Sequence, residues 1–247
     1  MDLSVLFGRR PIEELLKHKS SRVKRVFLST GVRLSAEFDE LLTQVEVERM
    51  EPPFFREKER EHQINNSQGI IAYVTQSAPV GFNQLLEKAK GSTCKIIVAL
   101  DQIQDPHNLG AIFRVCDAVG VAGLFYTADR STGLTSVARK VSAGASEFLA
   151  YSEVKNLARS LEQARKEGYL IYGTSLEESS QSLYEAVYSE PMVIVFGSEG
   201  EGLRKQTKEL CDVLISIPMA GTVQSLNVST SASAVLFEIK RKLSIEN

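Results

Sequence analysis

Three short polar clusters interrupt an otherwise apolar rhythm in this chain: DPHNLGAIFR at 105–114, GSEGEG at 197–202 and PMAGTVQSLN at 218–227. The glycines of the second cluster let a ligand lie against bare backbone. Nucleotide phosphate fits it poorly. Neither GxxxxGK[ST] nor GxGxxG spacing is present, and Glu199 and Glu201 would repel an anion held by the N–H groups of the turn. The plain alternative is a tight strand-to-helix turn with a capping glutamate. A ligand that resembles a nucleoside but carries no phosphate there reconciles glycines with acids. S-adenosylmethionine is such a ligand, with an adenine edge, ribose hydroxyls and a cationic sulfonium.

In the third cluster Pro218 ends an apolar run, Gly221 permits a sharp turn, and Ser225-Leu226-Asn227 precedes a stretch with helical spacing at Val228, Ala232, Val235, Leu236 and Ile239. Ser225 or Asn227 is a candidate helix N-cap. One cap accounts for one of the two, so the triplet points to a site where backbone groups hold an adenine and two side chains face a substrate or orient a neighbour. In the first cluster Asp105 and Pro106 begin a turn, and Gly110 opens a helix whose Ile112, Val115 and Val119 face inward. Asn108 near its start is a second cap candidate, Arg114 one turn in suits a surface ion pair, and His107 reads as a hydrogen-bonded turn residue.

All three clusters follow apolar runs. KIIVALD, VAGLFYT, YLIYGTS, MVIVFGS and DVLISIP are short and β-branched, separated by helical stretches such as VKNLARSLEQARKEG. Strands apolar on both faces with helices between them predict a parallel sheet covered on both sides. Ligands of such sheets sit beyond the carboxyl ends of the strands, which is where the clusters lie. Before residue 95 the pattern differs. A helix from Pro11 with Ile12, Leu15 and Leu16 inward, strands at 23–29, VEVERM and 69–75, and a helix at 36–43 predict a small α/β domain over 1–76. Pro79, Gly81 and Gly91 mark 77–93 as a linker or connecting helix, leaving 94–247 as the larger domain.

With 247 residues, 43% hydrophobic and 24% charged, the chain suits a globular protein of one or two domains. Cys94, Cys116 and Cys211 lie far apart without a CxxC pair, so neither a disulfide framework nor metal-ligand spacing emerges, and they read as buried thiols. The opening residues carry no apolar leader and no run reaches the length of a membrane span, which predicts a cytoplasmic protein. At a net charge of −2, nucleic-acid binding must come from a local patch. Arg9, Arg10, Lys17, Lys19, Arg22, Lys24, Arg25 and Arg33, set against Asp2, Glu13 and Glu14, offer one; a solvated helix face is the plain alternative.

The segments DPHNLGAIFRVCDAVGV, VFGSEGEGL and IPMAGTVQSLNVSTSASAVLFE together resemble the SpoU (TrmH-type) family of RNA ribose 2′-O-methyltransferases of the SPOUT class, in family order. Within it, the likeness is closest to bacterial enzymes that methylate a guanosine of large-subunit (23S) ribosomal RNA. Their N-terminal module resembles ribosomal protein L30e and binds RNA; GRRPIEELL and SQGIIAYV match its start and end, with Ser67 where those enzymes usually have His. The resemblance implies an α/β fold with a SPOUT-type parallel sheet, a C-terminal deep trefoil knot and a small N-terminal L30e-like domain. It implies S-adenosylmethionine held by Gly197, Ile217 and Leu226 through backbone, with Thr174, Ser198, Gly200 and Met219 nearby. Asn108, Arg114, Glu199, Ser225 and Asn227 fall on positions tied to catalysis and substrate positioning. Arg9, Arg10 and Arg114 would bind RNA, ribosomal RNA in the first instance, within a homodimer, with neither membrane nor DNA as partner.

The reaction implied is methyl transfer from a sulfonium to a ribose 2′-hydroxyl, where alignment supplies much of the rate. A hydroxyl needs its proton removed, and a guanidinium is nearly always charged, so Arg114 suits gripping the adjacent phosphate and stabilising a developing alkoxide better than acting as base. Methylation of transfer RNA, a non-catalytic RNA-binding or assembly relative, and an ordinary nucleotide-dependent enzyme are the competing readings.

Overall fold

The computed structural model describes residues 3–245, which divide into two compact units that meet between Ser77 and Ala78 in the chain. The N-terminal unit runs β1 (Leu3–Phe7), α1 (Arg9–Lys19), β2 (Val23–Ser29), α2 (Ala36–Leu42), β3 (Val47–Met50), α3 (Pro52–Glu61) and β4 (Ile70–Thr75). Its sheet has the order β1-β4-β2-β3, with β4 antiparallel to both neighbours and β2 parallel to β3. Ile12, Leu15 and Leu16 are the buried face of α1, at the spacing that puts three side chains on one stripe. Phe27, Phe55, Ile64 and Ile71 close a second cluster under α3.

The C-terminal unit runs α4 (Phe82–Lys90), β5 (Ile96–Leu100), α5 (Pro106–Val119), β6 (Gly123–Thr127), α6 (Ser136–Val141), β7 (Tyr151–Val154), α7 (Leu157–Lys166), β8 (Leu170–Thr174), β9 (Gln181–Ser182), β10 (Met192–Phe196), α8 (Lys205–Glu209), β11 (Val213–Ser216) and α9 (Val228–Ile245). Seven parallel strands stand in the order β7-β6-β5-β10-β8-β11-β9. Every residue of β5, β6 and β10 is buried, as expected of strands covered on both faces. Alternation along β5 divides the core: Ile96, Val98 and Leu100 pack with α5 and α9, while Ile97 and Ala99 pack with α4 and α7. From β5 the chain crosses through α5 to β6 on one side. From β10 it crosses through α8 to β11 on the other. The direction therefore switches between β5 and β10, and the crevice beyond their carboxyl ends is where such sheets hold ligands.

Over 77–93, read from sequence as a linker or connecting helix, the structure holds the helix α4, whose Leu85, Leu86 and Ala89 are buried against the parallel sheet. Its glycines bound a core helix. Several elements carry too weak a pattern to predict: α3 has eight polar or proline residues in PPFFREKERE and buries only Phe55, and β7 is a four-residue YSEV run that meets the VKNLARSLEQARKEG helical stretch at Val154. Cys94 and Cys116 are buried and Cys211 half-buried; burial raises all three thiols, Cys211 to about 12. None is a thiolate near neutral pH. Among the described residues no helix is long and apolar enough to cross a membrane.

Candidate active site

Three turns at the carboxyl end of the sheet meet around a cavity of about 380 Å³. The first is the Gly-rich turn after β10. Ser198 N–H donates to Gly202 O at 3.1 Å and Gly202 N–H to Ser198 O at 3.0 Å, so the turn closes on itself. Gly200 and Gly202 take φ of 86° and 68°, and a Cβ on Gly197 would lie 2.1 Å from the Gly202 carbonyl carbon. Only glycine fits at 197. The second is the segment after β11, and the third follows β8. Thr174, Gly197, Ser198, Gly200, Ile217, Met219 and Leu226 all line the cavity, with Glu199 and Ser225 beside them.

Residues 218–227 are exposed, so their crowd of small polar side chains borders the cavity at the surface and breaks no core. Asn227 caps α9: its Oδ1 accepts from Ser229 N–H at 2.9 Å and Thr230 N–H at 3.4 Å. That fixes its amide. Nδ2 must face the other way, where it donates to Glu199 Oε1 at 2.6 Å and Asn108 Oδ1 at 3.0 Å. Asn108 Nδ2 donates to the same Glu199 oxygen. Capping and site-building are thus the two ends of one side chain.

The start of α5 corrects the expectation of a helix opening at Gly110. The helix begins at Pro106 with Asp105 as N-cap, its Oδ1 accepting from His107 N–H at 2.8 Å. Proline at the first helical position and an acidic cap explain the earlier start. The N–H of His107 holds the Asp105 carboxyl below its ordinary range. Because Asp105 serves as cap, Asn108, 94% buried, is left to bond Glu199. Gly110 lies inside the helix, where a Cβ would sit 2.4 Å from Ala138 O of α6.

A second cavity, of about 530 Å³, adjoins the first and shares Ser198, Glu199, Glu201 and Val228 with it; Gln102, Ile103, Gln104, Asp105 and Asn108 complete its lining. Arg114 lines neither cavity. It is exposed on α5 and makes no hydrogen bond or ion pair among the described residues. In the N-terminal unit Arg9 and Arg10 are exposed at the start of α1, with no partner for either guanidinium among the described residues. Ser67 is buried, its hydroxyl donating to Glu59 and accepting from Gly69 N–H, so it holds a turn and faces no solvent.

The motif reading passes over Asp101. Its buried carboxylate accepts from Arg204 Nε at 2.8 Å and Thr207 Oγ1 at 2.7 Å, tying the end of β5 to the start of α8 just past the Gly-rich turn. An acid closing the apolar run KIIVAL is the sequence feature that marks it.

Residues 95–237 match the sequence model of the SpoU rRNA Methylase family, and residues 5–80 match a model described as RNA 2′-O ribose methyltransferase substrate binding. The 23S rRNA (guanosine-2′-O-)-methyltransferase RlmB of Pseudomonas putida is 36% identical, over 99% of this chain and 98% of the relative. The RlmB of Pseudomonas aeruginosa is 38% identical over 96% of each. Among solved structures, the SpoU methyltransferase AviRb from Streptomyces viridochromogenes, in complex with the cofactor AdoMet, superposes with a TM-score of 0.70 at 25% identity, covering 97% of this chain and 90% of that one.

Proposed function

We infer the function from kinship and geometry together: this chain belongs to the SpoU rRNA methylase family, and it is an RNA ribose 2′-O-methyltransferase that uses S-adenosylmethionine. Its substrate is a guanosine of 23S ribosomal RNA, the reaction named for the full-length relatives. The observation that carries the reading is the meeting of Asn108 and Asn227 on Glu199 at the mouth of a cavity built from strand-end turns.

The cavity fits the cofactor. Gly197 lets the Gly-rich turn close against Gly202 and so shapes a seat for an adenine edge, and Glu199 and Glu201 in the lining favour a cationic sulfonium over phosphates, Glu177 being paired with Lys208. Thr174, Gly197, Ser198, Gly200, Ile217, Met219 and Leu226 would hold it. When bound, S-adenosylmethionine supplies an electrophilic methyl group and a neutral leaving group that needs no acid.

The chain must align a ribose hydroxyl and manage its proton. Asn227, pinned by the α9 cap, holds Glu199 rigidly without a mobile side chain of its own. Glu199 lines both cavities, and its second oxygen, Oε2, is available to a hydroxyl proton. Alignment of this kind is worth several kcal/mol, roughly 7 or more in good intramolecular models. Ser225 hydrogen-bonds substrate at the rim. Arg114 grips a phosphate and stabilises developing negative charge, from its own surface or from a second copy of the chain; its exposure and lack of partner support that role.

The finer architecture is proposed on the same footing. The C-terminal segment forms a deep trefoil knot of the SPOUT type, supported by the insertion of β10 between β5 and β8. The N-terminal unit is an L30e-like RNA-binding domain, supported by the substrate-binding match and by two unpaired guanidiniums. The protein is a cytoplasmic homodimer; Phe237 of α9, 52% exposed, is the kind of apolar side chain a subunit contact would cover. Mapping 2′-O-methyl groups on 23S rRNA from cells with and without the gene tests the function. One guanosine losing its mark supports it; an unchanged map contradicts it.

A further inference from the structure

The second cavity holds a polar group with no protein partner. Gln102, two residues after β5, is 91% buried, lines that cavity, and its amide makes no hydrogen bond among the described residues. The amide reaches the cavity rather than being sealed from solvent, and with no protein partner its donor and its acceptor are both free for a ligand there. Its backbone adds a second mark: φ is 62°, in the left-handed region that a glutamine seldom adopts and that clusters at functional sites. Across the same cavity stands Glu201, exposed and likewise without a partner, while Asp105 already gives Oδ1 to His107. Ile103 and Val228 supply apolar walls. A space of about 530 Å³ admits a nucleoside.

We propose that this cavity receives the target base, and that Gln102 and Glu201 read it as guanine. The proposal rests on the guanosine 2′-O-methyltransferase function above and adds where its specificity resides. Guanine presents O6 as acceptor, then N1–H and the 2-amino group as donors. The Gln102 amide donates to O6 and accepts from N1–H; the acceptor-only carboxylate of Glu201 takes the 2-amino group. Adenine presents an acceptor at N1 and only a C–H at C2, so it leaves Glu201 unpaired and forces the amide to turn. Shared Glu199 and Ser198 place this base beside the methyl-donor cavity, which brings its ribose to the Asn108–Glu199–Asn227 cluster.

The test uses the full-length protein and an unmodified 23S rRNA fragment carrying guanosine, inosine or adenosine at the methylated nucleotide, with kcat/KM for 2′-O-methyl transfer as readout. Wild type should favour guanosine over inosine about tenfold and over adenosine about 100-fold, the range of one or two base-edge contacts. Gln102→Ala should lower kcat/KM on guanosine roughly 10- to 100-fold and narrow the guanosine-to-adenosine ratio, with calorimetric affinity for S-adenosylmethionine unchanged within about twofold. Glu201→Ala, which removes the acceptor for the 2-amino group, should bring inosine level with guanosine. If Gln102→Ala fails to bind S-adenosylmethionine, Gln102→Asn, which tolerates the positive φ, replaces it. Equal rates on guanosine and inosine by wild type, or an unaltered base preference in both variants, would overturn the proposal. Transfer to no guanosine at all would instead sink the function on which it rests.

Discussion

In the N-terminal unit the side chains best suited to RNA, Arg9 and Arg10, stand in solvent without partners, whereas in the C-terminal unit Asn108, Glu199 and Asn227 are locked to one another and to a helix cap. The contrast fits what the proposed function asks of each. A phosphate contact needs a free, hydrated cation that can wait for an anion, and its geometry is forgiving. Transfer to a chosen oxygen needs acceptors held to within fractions of an ångström before substrate arrives. Loss of a residue in one unit should therefore weaken binding in a salt-dependent way, and loss in the other should slow chemistry while binding persists.

The largest effect should come from Gly197→Ala. A Cβ 2.1 Å from the Gly202 carbonyl carbon cannot be accommodated without opening the Gly-rich turn. S-adenosylmethionine binding, followed by calorimetry, should fall at least about 100-fold, a multiple-contact loss of the kind overpacking of a preformed site produces. Retained affinity would mean that the turn does not form the cofactor seat.

Next in size is the cluster itself. Glu199→Gln keeps an acceptor for both asparagine amides but removes the charge, so the fold and cofactor affinity should survive. Single-turnover transfer should fall roughly 100-fold if Glu199 accepts the hydroxyl proton. Asn227→Ala should lose a similar rate and about 1 kcal/mol of stability through the α9 cap. A rate within twofold of wild type in both variants would reduce the cluster to a structural brace.

Asp101→Ala should act on stability first. It leaves Thr207 and Arg204 without their acceptor at the start of α8. Arg204 is 43% exposed, so the expected cost is about 2–3 kcal/mol, below the value for a wholly buried pair. Denaturant unfolding would measure it. The smallest effect belongs to the other unit. Arg9→Ala with Arg10→Ala should weaken RNA binding several-fold and lower the slope of log K against log salt by about one per lost phosphate contact. Catalysis at saturating RNA should be unaffected.

These differences also explain what was legible in the sequence. The parallel sheet is visible because strands buried on both faces are written as continuous apolar runs, and KIIVALD and MVIVFGS declare themselves. The cavity proposed for the methyl donor is foreshadowed because glycines and small polar residues gather at strand ends. The Asp105 cap is not foreseen, since Asn108 and Asp105 are equally good capping types and only Pro106 decides between them. Asp101 and Gln102 escape because each is a single polar residue at the end of an apolar strand, meaningful only once α8 and the Gly-rich turn fold over it. The helix at 77–93 is legible from LLEKAKGS and its closing Gly91, while its burial against the parallel sheet is not, since punctuation by proline and glycine marks the ends of an element without saying what it packs on.

Transfer in a defined mixture tests the account most directly: purified protein, methyl-labelled S-adenosylmethionine and unmodified 23S rRNA, followed by digestion to nucleosides. The label should appear in 2′-O-methylguanosine at one position, and should vanish with Gly197→Ala. Label on a base nitrogen or carbon, on another nucleoside, or nowhere in the RNA would contradict it.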